Sequence, residues 1–131
     1  MDISEAMGRY IPLGTLLGIQ LVEKGDGKAV LSMQVRPELM NSFGVAHGGS
    51  LMSLMDIAMM VAARTKDPQS IGALTAEMKS TFIAGATGNV RCEAECLKVG
   101  KSVSFCECWL YSEDGTLCAT ASGTFLLRHP K

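Results

Sequence analysis

The sequence predicts a single α+β domain over residues 1–131, in which an antiparallel sheet wraps one long central helix. Residues 47–64 form the most apolar stretch and read as one thick helix. After it the pattern changes to period two, which is typical of strands joined by hairpins. One helix can cover one face of such a sheet. Because this helix is apolar on nearly every side, we expect a second subunit to cover the rest.

Before the helix, residues 18–35 alternate between polar and apolar on both sides of Asp26-Gly27. That dipeptide favours the positive φ angles of a tight hairpin turn, so two strands are predicted here. A short helix capped by Ser4 is predicted over residues 5–11, ending before Pro12. Residues 36–44 read as a loop.

After the helix, residues 73–84 are predicted to be a strand with one apolar face. The residues expected on that face are Leu74, Ala76, Met78, Ser80 and Phe82, and those expected on the other are Thr75, Glu77, Lys79 and Thr81. Three more strands are predicted over residues 89–99, 102–112 and 117–127. Turns around Gly100 and Asp114-Gly115 join them in sequence.

Composition excludes several functional classes. The net charge is −1 and no basic run of five residues occurs, so nucleic acid is not an expected partner. The N-terminus lacks the basic start and apolar segment of a signal peptide, and no stretch is long enough to span a bilayer. We therefore expect a cytoplasmic protein that has no membrane partner. Five cysteines, an odd number without a tight CxxC pair, suggest reduced core thiols and no metal site.

Asp56 is the main anomaly in the helix. No other ionisable residue occurs between Gly48 and Ala63. Burying an unpaired charge costs several kcal/mol, roughly, even after the protein relaxes around it. The carboxylate is therefore expected either to do chemistry or to pair across an interface with a backbone N–H or a serine.

The sequence His47-Gly48-Gly49 opens the helix. The first N–H groups of a helix lack internal acceptors and carry the positive end of its dipole. Glycines there would let a carbonyl oxygen approach closely, although they could simply make a tight turn. His47 could act as an acid, a base, an anchor or a cap. Asn41 could contact a substrate carbonyl or fix its own loop.

Gly48 and Asp56 cannot act on one carbonyl from the same chain. They are separated by eight residues, about 12 Å along a helix that rises about 1.5 Å per residue. Two antiparallel copies of the helix could bring the start of one against Asp56 of the other. If both groups are catalytic, the enzyme is at least a dimer with interface sites.

The motif N-S-F-G-V-A-H-G-G-x6-D, residues 41–56, resembles the hotdog-fold acyl-CoA thioesterases of the phenylacetate-degradation (PaaI-like) type. The resemblance extends over nearly the whole chain. It implies the hotdog fold, in which a sheet wraps one helix, and homodimers that pair into homotetramers. It also implies an acyl-CoA substrate, with coenzyme A as part of that substrate and no separate cofactor.

By this resemblance Asp56 is the catalytic carboxylate and the Gly48 N–H polarises the thioester carbonyl. Asn41 and His47 correspond to positions that hold that carbonyl and its loop. Thr75 corresponds, after a one-residue gap, to a Ser or Thr beside the carboxylate and its water. The resemblance implies that Asn41, His47 and Gly48 come from one subunit, with Asp56 and Thr75 from the other.

The resemblance also implies a coenzyme A site. Phe82 corresponds to a position along the CoA channel, and Gly85 stands where many relatives have proline. The turn expected to meet the nucleotide and its phosphates comprises Lys98, Val99, Gly100, Lys101, Ser102 and Val103. The alternative for its two lysines is a solvated hairpin end.

The function predicted is hydrolysis of an acyl- or aryl-acyl-CoA thioester, with Asp56 as general base or as a nucleophile that forms an anhydride. Alternatives are a hotdog hydratase or dehydratase and a non-catalytic acyl-CoA-binding protein. Met55, Met59 and Phe43 are expected to line the acyl pocket. The acyl preference, the pairing of dimers and the pathway are not predicted.

Overall fold

The long helix α3 (Gly48–Thr65) packs against all six strands of one antiparallel sheet in a computed structural model that describes residues 1–131. Two short helices, α1 (Ile3–Met7) and α2 (Pro12–Leu16), and a 3-10 turn (Pro37–Leu39) precede it. The strands are β1 (Gln20–Gly25), β2 (Lys28–Gln34), β3 (Gly72–Phe82), β4 (Asn89–Val99), β5 (Val103–Tyr111) and β6 (Leu117–Arg128). This arrangement confirms the predicted α+β hotdog fold.

The sheet order is β1-β2-β4-β5-β6-β3, so β1 and β3 are its two edges. The predicted hairpin between β1 and β2 turns at Asp26 and Gly27, whose φ angles are +51° and +77°. The cap of α1 is Asp2, whose carboxylate accepts from the Ser4 N–H, so the prediction that Ser4 is the cap was wrong. The predicted bounds 5–11 were also wrong, because α1 ends at Met7, where Gly8 adopts a left-handed conformation. Asp2 is the cap because its carboxylate accepts from the N–H groups of Ser4 and Glu5, which lack acceptors within the helix.

Strand β3 contains a bulge that the sequence pattern does not reveal. Thr75 pairs with Phe125 and Glu77 with Thr124, which leaves Ala76 as the extra residue. An extra residue reverses which side of the sheet the preceding side chains occupy. Thr75 therefore faces α3, as Met78 does, and Leu74 lies on the outer face beside Leu126. The predicted alternation was wrong for these two residues.

The core lies between α3 and the inner face of the sheet. Met55 and Met59 are wholly buried in it, so the expectation that they line an acyl pocket was wrong for the protomer. All five cysteines are unpaired and buried, as expected of reduced core thiols. Their positions on β4, β5 and β6 place them on the inner face of the sheet, where small side chains let the helix pack closely.

One stripe of α3 is not covered by the sheet. Gly49, Met52, Ser53, Asp56 and Met60 recur at spacings of three and four, and each is exposed or only partly buried. The stripe lies beside β3, whose outer edge has no strand partner. No helix of the structure is both long enough and apolar enough to cross a membrane.

Candidate active site

Asp56 lies half-buried in the middle of α3 and is held by Thr75 of β3. The Thr75 hydroxyl donates a hydrogen bond of 2.6 Å to Oδ1 of the carboxylate. The bulge at Ala76 is what turns the hydroxyl toward the helix. The carboxylate therefore has one fixed neighbour and one oxygen without a protein donor.

Burial raises the pKa of the Asp56 carboxyl above its ordinary value, and the hydrogen bond from Thr75 partly lowers it. Desolvation disfavours the charged form, whereas a donor that hydrogen-bonds to the carboxylate favours it. Such a carboxylate is a stronger base than an exposed one, which suits it to take a proton from water.

His47 is the N-cap of α3. Its Nδ1 accepts a hydrogen bond of 2.8 Å from the Gly49 N–H, and its carbonyl accepts from the N–H groups of Ser50 and Leu51. Because Nδ1 is the acceptor, the neutral imidazole carries its proton on Nε2. The cap reading of His47 is therefore confirmed, and the exposed Nε2–H remains as a donor at the helix start.

Gly48 is the first residue of α3. The N–H of its neighbour Gly49 is occupied by His47, whereas the Gly48 N–H has no acceptor among the surrounding caps and loops. Its Cα lies against the ring of Phe82, such that an added Cβ would be 3.5 Å from Phe82 Cζ. This N–H carries the positive end of the helix dipole and can stabilise a developing oxyanion.

Asn41 fixes the loop that leads into the helix. Its Oδ1 accepts from the Phe43 N–H at 2.9 Å and from the Val45 N–H at 3.4 Å. The loop-fixing role is confirmed, and the amide Nδ2 group makes no hydrogen bond within the chain. Phe43, at the tip of this loop, is 88% exposed.

Comparison with known proteins identifies the family. Residues 43–119, more than half of the chain, match the thioesterase superfamily. The chain belongs to this superfamily. The matched segment contains the start of α3, Asp56 and Thr75, whereas Asn41 lies just before it.

Three relatives of this thioesterase illustrate its similarity to known proteins. A 1,4-dihydroxy-2-naphthoyl-CoA hydrolase of Listeria monocytogenes is 28% identical over 86% of this chain and 92% of the relative. A conserved protein of Pseudomonas aeruginosa is 33% identical, with a TM-score of 0.85 over 95% of this chain and 98% of that one. A mutant of the phenylacetic acid degradation protein PaaI of Thermus thermophilus is 26% identical, with a TM-score of 0.78 over 90% of this chain and 99% of that one.

These similarities confirm the PaaI-like resemblance and show that the chain is a thioester hydrolase. They agree with a site that offers an oxyanion donor at the helix start and a carboxylate further along the same helix. The substrate of this thioesterase stays a proposal.

The turn predicted to meet coenzyme A joins β4 and β5 of the thioesterase. The Gly100 N–H donates to the Val103 carbonyl at 2.7 Å, and Lys98 and Lys101 are exposed. Ser104, which follows the turn, pairs with Phe125, and Phe125 pairs with Thr75. The turn thus lies at the same end of the sheet as Thr75, and its role in binding coenzyme A stays a prediction.

The structure divides the predicted catalytic residues into two groups within one thioesterase chain. Asp56 and Thr75 are in contact, and Asn41, His47 and Gly48 are grouped at the start of α3. The helix is unbroken between the groups, so the separation of about 12 Å holds.

Sequence reasoning missed two features of the site. The bulge at Ala76 brings Thr75 to the helix, and its only signal in the sequence is the one-residue gap needed to align Thr75 with its relatives. The contact of Phe82 with Gly48 joins β3 to the helix start, and nothing in the local pattern indicates it.

Proposed function

We propose that this thioesterase hydrolyses acyl- or aryl-acyl-CoA thioesters at sites shared by two copies of the chain. The observation that supports this most directly is that one edge strand touches both halves of the site. Thr75 of β3 holds Asp56, and Phe82 of β3 packs on Gly48. Any pairing of two β3 edges therefore fixes how the two halves meet.

An antiparallel pairing of β3 with its copy, centred on Lys79, places Thr75 opposite Phe82 of the partner subunit, because the bulge at Ala76 takes up one residue of each strand. Residues directly opposite on antiparallel strands have Cα atoms roughly 4.5–5.5 Å apart. Phe82 packs on Gly48, and Thr75 is bonded to Asp56. The same pairing therefore brings the partner's Gly48 close to Asp56. The two helices then lie side by side and antiparallel.

Two features of the protomer support this dimer. Strand β3 is an edge of eleven residues that is open to pairing, and such edges attract other strands. The uncovered stripe of α3 lies next to it, with Met52 38% exposed. A copy paired at β3 would cover this stripe, which also explains why the helix is apolar on nearly every side.

In the proposed mechanism the thioester carbonyl oxygen accepts a hydrogen bond from the Gly48 N–H. Asp56 of the other chain takes a proton from water, whose oxygen attacks the carbonyl carbon. The Gly48 N–H and the helix dipole stabilise the oxyanion. The C–S bond then breaks, the thiolate of coenzyme A leaves, and Asp56 donates its proton to that thiolate. The free acid and the thiol account for every atom.

Direct attack by Asp56 would instead form an anhydride that water later hydrolyses. A single turnover in ¹⁸O-labelled water detects an anhydride that water opens at the Asp56 carbonyl carbon. A water molecule activated by Asp56 leaves the carboxylate unlabelled, whereas hydrolysis of an anhydride at the Asp56 carbonyl carbon places ¹⁸O in the side chain. We favour the general base, because Thr75 fixes one carboxylate oxygen and leaves the other free to accept a proton.

The function is tested with a panel of acyl- and aryl-acyl-CoA substrates and detection of the released thiol. The five buried cysteines of the native protein should add little background to a thiol reagent. Loss of enoyl absorbance without thiol release would indicate a hydratase. Binding of acyl-CoA without turnover of any substrate would indicate a binding protein and would contradict the proposal.

The shared site is tested by mixing two inactive variants, Asp56→Asn and Gly48→Pro, after each has been dissociated. A mixed dimer has one site in which both groups are intact, so random exchange should restore about a quarter of wild-type activity. If each site lay within one chain, mixing would restore nothing. Asp56→Asn mixed with Asp56→Asn is the matched control.

A further inference from the structure

A cavity of about 330 Å³ lies at the C-terminal end of α3, between that helix, β1 and the loop that leads to β3. Arg64 and Lys24 line it, and no acidic residue does. It lies eight residues beyond Asp56 along α3, in the direction away from Gly48. The proposed hydrolysis uses none of these residues.

The cationic groups at this cavity have no counterion in the chain. Arg64, Lys24 and the nearby Arg9 take part in none of the ion pairs of the protein. Burial lowers the pKa of Arg64, and the positive charge of Arg9 lowers it further. Cations that converge without a carboxylate repel one another, and a bound anion would relieve this repulsion.

The guanidinium of Arg64 is held in place but incompletely bonded. Its Nη2 donates to the Ser70 carbonyl at 2.9 Å, whereas its Nε is buried and has no acceptor. The Nη1 group makes no hydrogen bond within the chain and is not buried, so it is the guanidinium nitrogen that can reach an anion in the cavity. The hydroxyls of Thr65 and Ser70, which also line the cavity, are already donated to backbone carbonyls.

We propose that this cavity binds a small oxyanion of the phosphate class through Arg64 and Lys24. The fork of a guanidinium matches the oxygens of a phosphate group, and a lysine ammonium supplies a second positive charge. The cavity is larger than a single chloride ion requires. The phosphate could be free in solution or belong to the nucleotide of coenzyme A, and both present the same chemistry.

The test is a titration of the full-length protein with sodium phosphate in a phosphate-free buffer at constant ionic strength, followed by calorimetry and by the thermal midpoint. Arg64→Gln should weaken phosphate binding by at least about tenfold, because it removes both the positive charge and the two-pronged hydrogen bonding of the guanidinium. Arg64→Lys should weaken it by less, because the positive charge is kept. Arg128→Gln, an exposed arginine on β6, is the matched control and should bind as the wild type does. Phosphate should raise the thermal midpoint of the wild type.

If Arg64 serves only to hold the end of the helix, the wild type will show no saturable phosphate binding, or Arg64→Gln will bind equally well. Either result overturns the proposal. Should Arg64→Gln fail to fold, Lys24→Gln provides the same comparison at an exposed position, with a several-fold weakening expected. A parallel titration with coenzyme A identifies the source of the phosphate. Arg64→Gln should weaken the binding of coenzyme A as well as that of free phosphate only if the phosphates of coenzyme A occupy this cavity.

Discussion

Replacing Gly48 with proline should remove one N–H group from the proposed oxyanion site and leave the helix intact. Gly48 is the first residue of α3, where the N–H has no intrahelical acceptor and proline is favoured. The preceding residue, His47, has φ −63° and ψ 139°, an extended conformation that a following proline permits. The substitution is therefore close to a deletion of a single donor.

The expected loss follows from what that donor does. Removing one oxyanion donor costs about 10²–10³ in kcat, or about 2.7–4 kcal/mol. Folding should not suffer, because a proline that fits the native backbone stabilises a protein by about 0.4–1 kcal/mol. Gly48→Ala is the matched control, since it keeps the N–H and its Cβ would meet the Phe82 ring at 3.5 to 3.9 Å, an ordinary contact.

The assay measures kcat by thiol release from the best acyl-CoA of the panel, beside the thermal midpoint of each variant. Gly48→Pro should be folded and slow, and Gly48→Ala should stay within a few-fold of the wild type. The reasoning is refuted if Gly48→Pro folds and retains kcat within about threefold, because the N–H would then have no catalytic role. Equal losses in both variants would point to the shape of the helix start instead.

Further predictions concern the carboxylate and the core. Asp56→Asn should lower kcat by about 10²–10⁴. It should also raise the free energy of unfolding at pH 7 in denaturant titrations. The folded-state pKa of Asp56 is raised, so the stability that its neutral form contributes below the unfolded pKa is lost as pH rises through the folded pKa, and asparagine stays neutral. The exposed-turn variant Asp26→Asn should change neither. Thr75→Val removes the bond that lowers the pKa of Asp56, so the acid limb of the kcat/KM profile should move to higher pH; an unmoved limb would exclude Asp56 as the titrating base. Gly123→Ala should cost about 1–3 kcal/mol in urea unfolding, since its Cβ would lie 2.9 Å from Phe125 and 3.2 Å from a backbone oxygen, whereas Gly72→Ala meets nothing within 4 Å and should be neutral.

Much of the fold could be predicted because its signals are local. The helix was predicted within one residue at each end, and the positive φ angles at Asp26-Gly27 follow from the residues themselves. The isolation of Asp56 is also a local signal, since a single charge in an apolar helix is visible in the sequence. The sequence left the roles of Asn41 and His47 open. Their hydrogen bonds show that Asn41 fixes its loop and that His47 caps the helix, and their contact with substrate stays a prediction.

The position of Thr75 could not be predicted in the same way. Period two assigns each residue of a strand to one of two faces, and a single extra residue reverses the assignment. Whether Ala76 is that extra residue depends on how β3 pairs with β6, which is fifty residues distant along the chain. The face on which Thr75 lies is therefore a property of the pairing.

The sequence by itself determined the elements, the isolated carboxylate and the glycine-rich helix start, because residue type and spacing set local conformation and the rise of a helix. Only the tertiary structure decided that Thr75 turns toward Asp56, that Phe82 rests on Gly48 and that β3 is an open edge. These depend on contacts between residues far apart in the chain, and a local pattern contains no information about which distant segments will pair.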